Sequence, residues 1–175
     1  EEAVYEQLGL AYISPRLRED HGEIEAAAAG NLPHLVTTED LLSDLHMHTT
    51  WSDGTLSILD MARAARDRGL KAVVITDHSY SLGIANGLSI ERLREQALEV
   101  RAADRELGPD IRVLHGTEME IRADGSLDFP DEVLAELDVV IASLHTALGQ
   151  PKEQITQRLL GAIRNPHVDI IGHPT

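Results

Sequence analysis

From Leu41 onward the chain repeats one unit, a short β-branched or apolar run followed by a longer amphipathic segment. The runs at 43–46, 72–76, 112–118, 139–143 and 168–171 read as strands buried on both faces of a parallel sheet. The segments 57–68, 89–107, 130–136 and 151–164 read as helices. Ser57 and Ser89 are placed to cap N-termini, Pro130 and Pro151 to occupy first turns, and Gly69 and Gly108 to follow helix ends. Five strand–helix steps predict an α/β fold, either an open doubly wound sheet or part of a barrel.

Residues 1–40 have another texture. Segment 1–8 ends at Gly9, Tyr12-Ile13-Ser14-Pro15 reads as a turn, segment 23–29 ends at Gly30, and Asn31-Leu32-Pro33 breaks the pattern. The stretch is too short to fold alone and reads as a linker or the end of a preceding domain. Residues 41–175 form the α/β domain.

Composition narrows the chemistry. The 175 residues carry 15 Lys and Arg against 30 Asp and Glu, a formal charge of −15. This excess argues against a broad nucleic-acid face, which needs clustered cations, but is no objection to a site rich in metal ions, which carry their own positive charge. With no Cys in the chain, disulfides, thiolate zinc sites and cysteine nucleophiles are excluded. No apolar run approaches the roughly 18 residues that span a bilayer, so a cytoplasmic protein with no membrane partner is expected.

Histidines and carboxylates stand at the carboxyl end of every predicted strand: His46 and His48, Asp77 and His78, Glu118, His145, and His173. Parallel α/β folds gather their sites there. His46 and His48, two apart on extended backbone, point to one side and can grip one ion, and Asp53 in the following loop reaches the same mouth. Singly, each residue has a bland reading. Asp77-His78 could be a capping turn, Glu118 a surface acid with Glu120 beside it an equally plausible choice, and His145 or His173 a satisfied core or loop histidine. Together they would be unpaired polar groups costing about 1–3 kcal/mol each, a cost that a shared metal cluster removes. His21, His34, His115 and His167 are assigned structural roles, with the His115 side chain facing away from that of Glu118. Asp44, on the side of His46 by alternation, and Asp77 are expected to orient imidazoles from behind. Arg122 is expected in a surface salt bridge rather than on a phosphate.

A His and carboxylate set suits Zn, Mn or Fe, and such clusters hydrolyse by lowering the pKa of bound water. A barrel bridged by a carboxylated lysine is disfavoured, since Lys71 begins a strand and Lys152 a helix. Glu118 is the candidate bridge, which favours phosphoester chemistry.

These residues resemble the motifs of the PHP (polymerase and histidinol phosphatase) superfamily. Asp44-Leu45-His46-Met47-His48 with Trp51-Ser52-Asp53-Gly54 is similar to the first motif, Ile75-Thr76-Asp77-His78 to the second and Gly116-Thr117-Glu118-Met119-Glu120 to the third. Ala142-Ser143-Leu144-His145 and Ile171-Gly172-His173-Pro174 follow in order. The resemblance implies a distorted barrel of seven βα units, here about five, and two or three divalent transition metals, Mn or Zn with Fe possible. It places His46, His48 and Glu118 on one ion, Asp53 and His78 on a second, and Glu118, His145 and His173 on a third. A late Asp-x-His ligand pair is expected beyond Thr175. The leader 12–27 is similar to the segment that ends the polymerase module in bacterial family X DNA polymerases. That implies a phosphoesterase acting on DNA 3′ ends or abasic sites during repair, with polymerase activity and most of the DNA grip in upstream domains. A small-molecule phosphatase of the histidinol-phosphate kind and a non-catalytic scaffold are the alternatives.

Overall fold

The computed structural model describes residues 1–174. Its backbone divides into two units, Glu1–Asp40 and the remainder from Leu41. In the first, α1 (Glu2–Gln7) and α2 (Glu23–Ala29) flank a 3-10 turn, Pro15–Leu17, that starts where the Ser14 hydroxyl accepts the Arg16 amide. The Arg18 guanidinium lies 5.6 Å from the Tyr5 ring centre and 5.8 Å from that of Tyr12, and donates to Glu1 Oε2 at 2.7 Å. Ile13 and Ala27 are the buried apolar residues among 1–40, too few for a core.

The second unit runs β1 (Ser43–Met47), α3 (Ile58–Asp67), β2 (Ala72–Ile75), α4 (Ile90–Leu107), β3 (Arg112–Glu120), α5 (Asp131–Leu134), β4 (Val139–Ser143), α6 (Lys152–Arg164) and β5 (Ile170–Ile171). All neighbouring strands are parallel, and their order across the sheet is their order in the chain. A doubly wound sheet reverses strand order at a switch point. This one never reverses, and it curls into the half-barrel that the βα repeat predicts.

Several expected ends shift for local reasons. Ser57 and Ser89 cap α3 and α4 through the amides of Asp60 and Arg92, as expected. Pro130 and Pro151 stand one place outside their helices in extended backbone, rather than in the first turn. The segment 130–136 yields one helical turn, because Asp138 already bonds the His115 carbonyl at 2.8 Å to start β4. β5 begins at Ile170 rather than at 168, where the Asp169 carboxylate takes the Val140 amide in place of a ladder bond. β3 extends two residues past Glu118 and so adds Glu120 to the sheet.

Alternation along the strands separates two environments. Val73 and Ile75 of β2, with Val113 of β3, pack on α3 and α4, and Met119, Val140 and Ala142 pack with Phe129, Val133 and Leu134. His115 faces this helix layer, as read from its spacing to Glu118. It is 8% exposed, and its Nε2 lies 3.2 Å from Gln96 Oε1 of α4. Gly116 is required on the other face, since a β-carbon there would stand 2.4 Å from the Val139 carbonyl oxygen.

Burial pushes the His115 imidazole down to about 4 from 6.5. The folded state therefore keeps it neutral where the unfolded chain takes a proton. Its contribution is present above pH 6.5 and is lost as the pH falls toward 4. Urea unfolding of wild type and His115→Gln at pH 7 and 4 should show the variant losing less stability, by up to about 3 kcal/mol, with the other histidines cancelling in the difference.

Candidate metal centre

Glu118, on the inner face of β3 and 2% exposed, is the hub. Its Oε2 lies 3.1 Å from His46 Nε2, 3.3 Å from His48 Nε2 and 3.0 Å from His78 Nδ1. Its Oε1 lies 3.1 Å from His145 Nε2 and 2.8 Å from His173 Nε2. Five imidazoles from four strand ends thus converge on one buried carboxylate. Asp53 stands across the His48 and His78 rings, 3.7 Å from His48 Nδ1 and 3.6 Å from His78 Nε2. The seven residues predicted from sequence are all brought together.

Strand ends explain the convergence. His78 continues β2 and bridges to Glu118 in parallel register. His145 lies two residues past Ser143, on the face that carries Ile141 and Ser143. Strict alternation would point His173 outward beyond Ile171, but its φ of 26° leaves the extended region and the ring returns to Glu118. Gly172 beside it has no room for a β-carbon, which would fall 2.2 Å from Ser143 Oγ.

Asp44 and Asp77 depart from expectation, since neither touches an imidazole. In β1, Asp44 pairs with Val73 and Met47 with Ile75, so three steps match two across a bulge. The bulge puts Asp44 on the side of Val73, not of His46, and its exposed carboxylate accepts the His46 backbone amide at 3.2 Å. Asp77, wholly buried, accepts from the Thr49 amide at 2.7 Å, the Thr49 hydroxyl at 2.6 Å, the Ser52 amide at 3.2 Å, the Ser52 hydroxyl and Gln96 Nε2 at 2.6 Å. It latches the loop that carries Asp53. That loop closes on itself at Gly54, where a β-carbon would lie 2.2 Å from the His48 carbonyl oxygen. Arg122 does form a salt bridge, at 2.7 Å to Asp128, although this partner is fully buried.

The electrostatics follow from the geometry. Burial opposes the Glu118 charge, but bonds from His145, His46 and His48 outweigh it and hold the carboxyl far below the usual range. His145 is raised, first by its bond to Glu118. Burial and the neighbouring His48 charge lower His78. His48 is raised because the Glu118 and Asp53 carboxylates outweigh its burial.

Three residue groups could each hold an ion: His46, His48 and Glu118; His48, Asp53 and His78; and His78, Glu118 and His145. Nδ1 of His48 and Nδ1 of His78 are buried without hydrogen-bond partners. Orphaned imidazole nitrogens facing carboxylates cost free energy that divalent ions would recover, so the donor set fits transition metals.

Residues absent from the predicted set support the cluster from behind. Glu120, two residues after Glu118 on the same face, contacts His145 Nδ1 at 2.9 Å. The i, i+2 spacing was the available signal. Gln96 and Arg158 lie on amphipathic helices, and nothing in their local sequence marks them as buried.

Replacing Asp77 by Asn should remove acceptors from the Thr49–Ser52 latch and cost about 1–3 kcal/mol in urea unfolding. Hydrogen exchange at residues 49–54 should rise more than exchange across β3. Equal acceleration of both would show that Asp77 serves the whole sheet and not the loop.

Known proteins now bear on the geometry. The model of the PHP domain matches residues 44–173. Over all 175 residues the chain is 46% identical to the DNA polymerase/3′-5′ exonuclease PolX of Bacillus subtilis (strain 168), and spans 30% of that protein. Over 140 residues, 77% of the chain, it is 36% identical to a protein named probable phosphatase from Thermoanaerobacter sp. (strain X514), spanning 54% of it. The chain therefore covers about a third to a half of these relatives. A Listeria monocytogenes structure described as a histidinol phosphatase aligns with a TM-score of 0.50 and 14% identity over 70% of this chain and 59% of that one, a likeness of fold alone. Matched from Asp44 in β1 through the last imidazole at His173, the chain belongs to the PHP domain family.

Proposed function

We propose that this domain hydrolyses phosphoesters with divalent transition metals, Mn or Zn, and that its substrate is the 3′ end of DNA. The observation that carries the hydrolytic reading is Glu118, a buried carboxylate with imidazoles against both oxygens, the arrangement of an acid shared between cations. The DNA reading is supported by 46% identity to a relative named both polymerase and 3′-5′ exonuclease. In this reading most of the DNA grip lies in parts of the protein outside this domain, because an acidic chain offers few clustered cations to phosphates.

In this reading His46, His48 and Glu118 would hold one ion, Asp53 and His78 a second, and Glu118, His145 and His173 a third. His48 stands within reach of the second group and His78 of the third. Bound there, the ions would supply Lewis-acid charge for phosphoryl oxygens and lower the pKa of water. The chain's own part is placement. Asp77 fixes the Asp53 loop, Glu118 keeps its negative charge in a buried setting, and the strand ends aim the imidazole nitrogens at one point, where ligation would require them unprotonated. Loading therefore releases protons and strengthens as pH rises through the raised pKa values of His48 and His145.

The full-length protein, stripped of metal and then given Mn2+, should shorten 3′-labelled DNA and leave histidinol phosphate intact. Removing the metal should abolish the activity, and Glu118→Gln should lower it more than about 100-fold, beyond the effect of losing a supporting partner. Turnover of histidinol phosphate instead would overturn the DNA reading in favour of a small-molecule phosphatase; the 36% identical relative is named probable phosphatase, without a stated substrate. No metal bound and no hydrolysis of either compound would make the domain a scaffold.

A further inference from the structure

We propose that Glu120, backed by Arg158, is a positioning residue that fixes His145 with its proton on Nδ1 and presents Nε2 to the ion shared with Glu118. The inference rests on the metal reading of the cluster and deepens it. Glu120 is 1% exposed and lies on the same face of β3 as Glu118. Spacing alone would make it an equal candidate ligand, but its hydrogen bonds decide otherwise. Oε2 accepts the His145 amide at 3.0 Å and faces Nδ1 of the same residue at 2.9 Å, pinning main chain and ring together. Oε1 accepts the Thr146 amide at 3.1 Å and the Thr146 hydroxyl at 2.5 Å. A carboxylate offers about four lone-pair directions, and the His145–Thr146 turn takes all four. None remains for an ion.

The ring of His145 thus lies between two carboxylates, Glu120 at Nδ1 and Glu118 at Nε2. An imidazole that ligates through Nε2 must keep its proton on Nδ1, and a carboxylate there raises the basicity of the ligating nitrogen. Arg158 makes a buried acid tenable in that place. Its guanidinium, 3% exposed, lies 3.7 Å from Glu120 Oε1 and donates to the Ile121 carbonyl, to the Thr146 carbonyl at 3.1 Å and to Gln150 Oε1 at 2.8 Å. The same side chain therefore holds the end of β3 against the loop that bears His145. A buried ion pair is costly to keep for stability alone, and this one stands directly behind a metal-facing ring.

The test uses the full-length protein with Zn2+ as probe. Zinc affinity is measured by chelator competition, and the His145 ring nitrogens are followed by 15N NMR. Glu120→Gln should weaken the zinc site at His145 by about 10–100-fold and remove the protected Nδ1 proton. In a His145→Ala background the same change should cost nothing further. If Glu120→Gln leaves Arg158 unpaired and fails to fold, Glu120→Gln/Arg158→Met removes both charges and should fold with the same loss of affinity. Unchanged affinity in either variant, or full additivity with His145→Ala, would overturn the positioning role while leaving the metal reading intact. Wild-type protein that binds no zinc would overturn both. Neither readout depends on turnover, so failure to cut DNA would bear on the substrate alone.

Discussion

One buried negative charge organises this domain. A carboxylate removed from water is tolerated only when its surroundings replace its hydration, and Glu118 has five ring nitrogens at 2.8–3.3 Å, those of His145 and His173 within hydrogen-bond geometry. Those rings come from the ends of β1, β2, β4 and β5, so every strand of the half-barrel is tied to the middle one through a single side chain. The sheet order makes this possible. With β3 central and two strands on each side in chain order, both oxygens of Glu118 find histidines, His46, His48 and His78 on one oxygen and His145 and His173 on the other. Cations entering this cage would displace the protons that its carboxylates favour on His48 and His145, and would meet ring nitrogens and acids already drawn to one point.

The support for the cluster comes from the opposite face of the same strands. His78 points inward and its neighbour Asp77 outward, where it takes Gln96 of α4 and the Thr49–Ser52 loop. Gln96 in turn meets His115, one strand over. Trp51, in the same loop, donates to Glu99, and Arg92 donates to the Trp51 carbonyl, so one stripe of α4, Arg92, Gln96 and Glu99, holds the loop that brings Asp53 to the mouth. The helix layer sets the position of a loop ligand as well as covering the sheet.

Much of this was legible because two regularities are written into residue order. Apolar runs alternating with amphipathic segments specify parallel strands with covering helices, and a polar residue closing each run marks the end where such folds build sites. The convergent set, His46, His48, Asp53, His78, Glu118, His145 and His173, follows from those rules. What could not be read depends on one-residue shifts and on tertiary partners. A single extra residue in β1 moved Asp44 to the other face, and a left-handed φ turned His173 inward against strict alternation. Asp77 appeared to be a partner of imidazoles because it adjoins His78, whereas adjacency on a strand places side chains on opposite faces. Gln96 and Arg158 look like ordinary polar positions of amphipathic helices, and their burial arises only when the helices dock.

The division of labour between strand faces has a consequence for how change is tolerated. Each inward ligand is covalently next to an outward residue with its own fixed partners: His78 to Asp77, and Glu118 to Thr117, whose hydroxyl donates to the Asp77 carbonyl, and to Met119 in the core. A shift that repacks the outward residue by a few tenths of an ångström must move the ligand beside it, because a strand transmits displacement directly along its backbone. The cluster therefore cannot drift independently of the packing. Retaining its geometry requires the helix contacts of β2 and β3 to be retained as well, and core substitutions far from the mouth should act on the ligands through these two strands more than through β1, where the bulge interrupts the register.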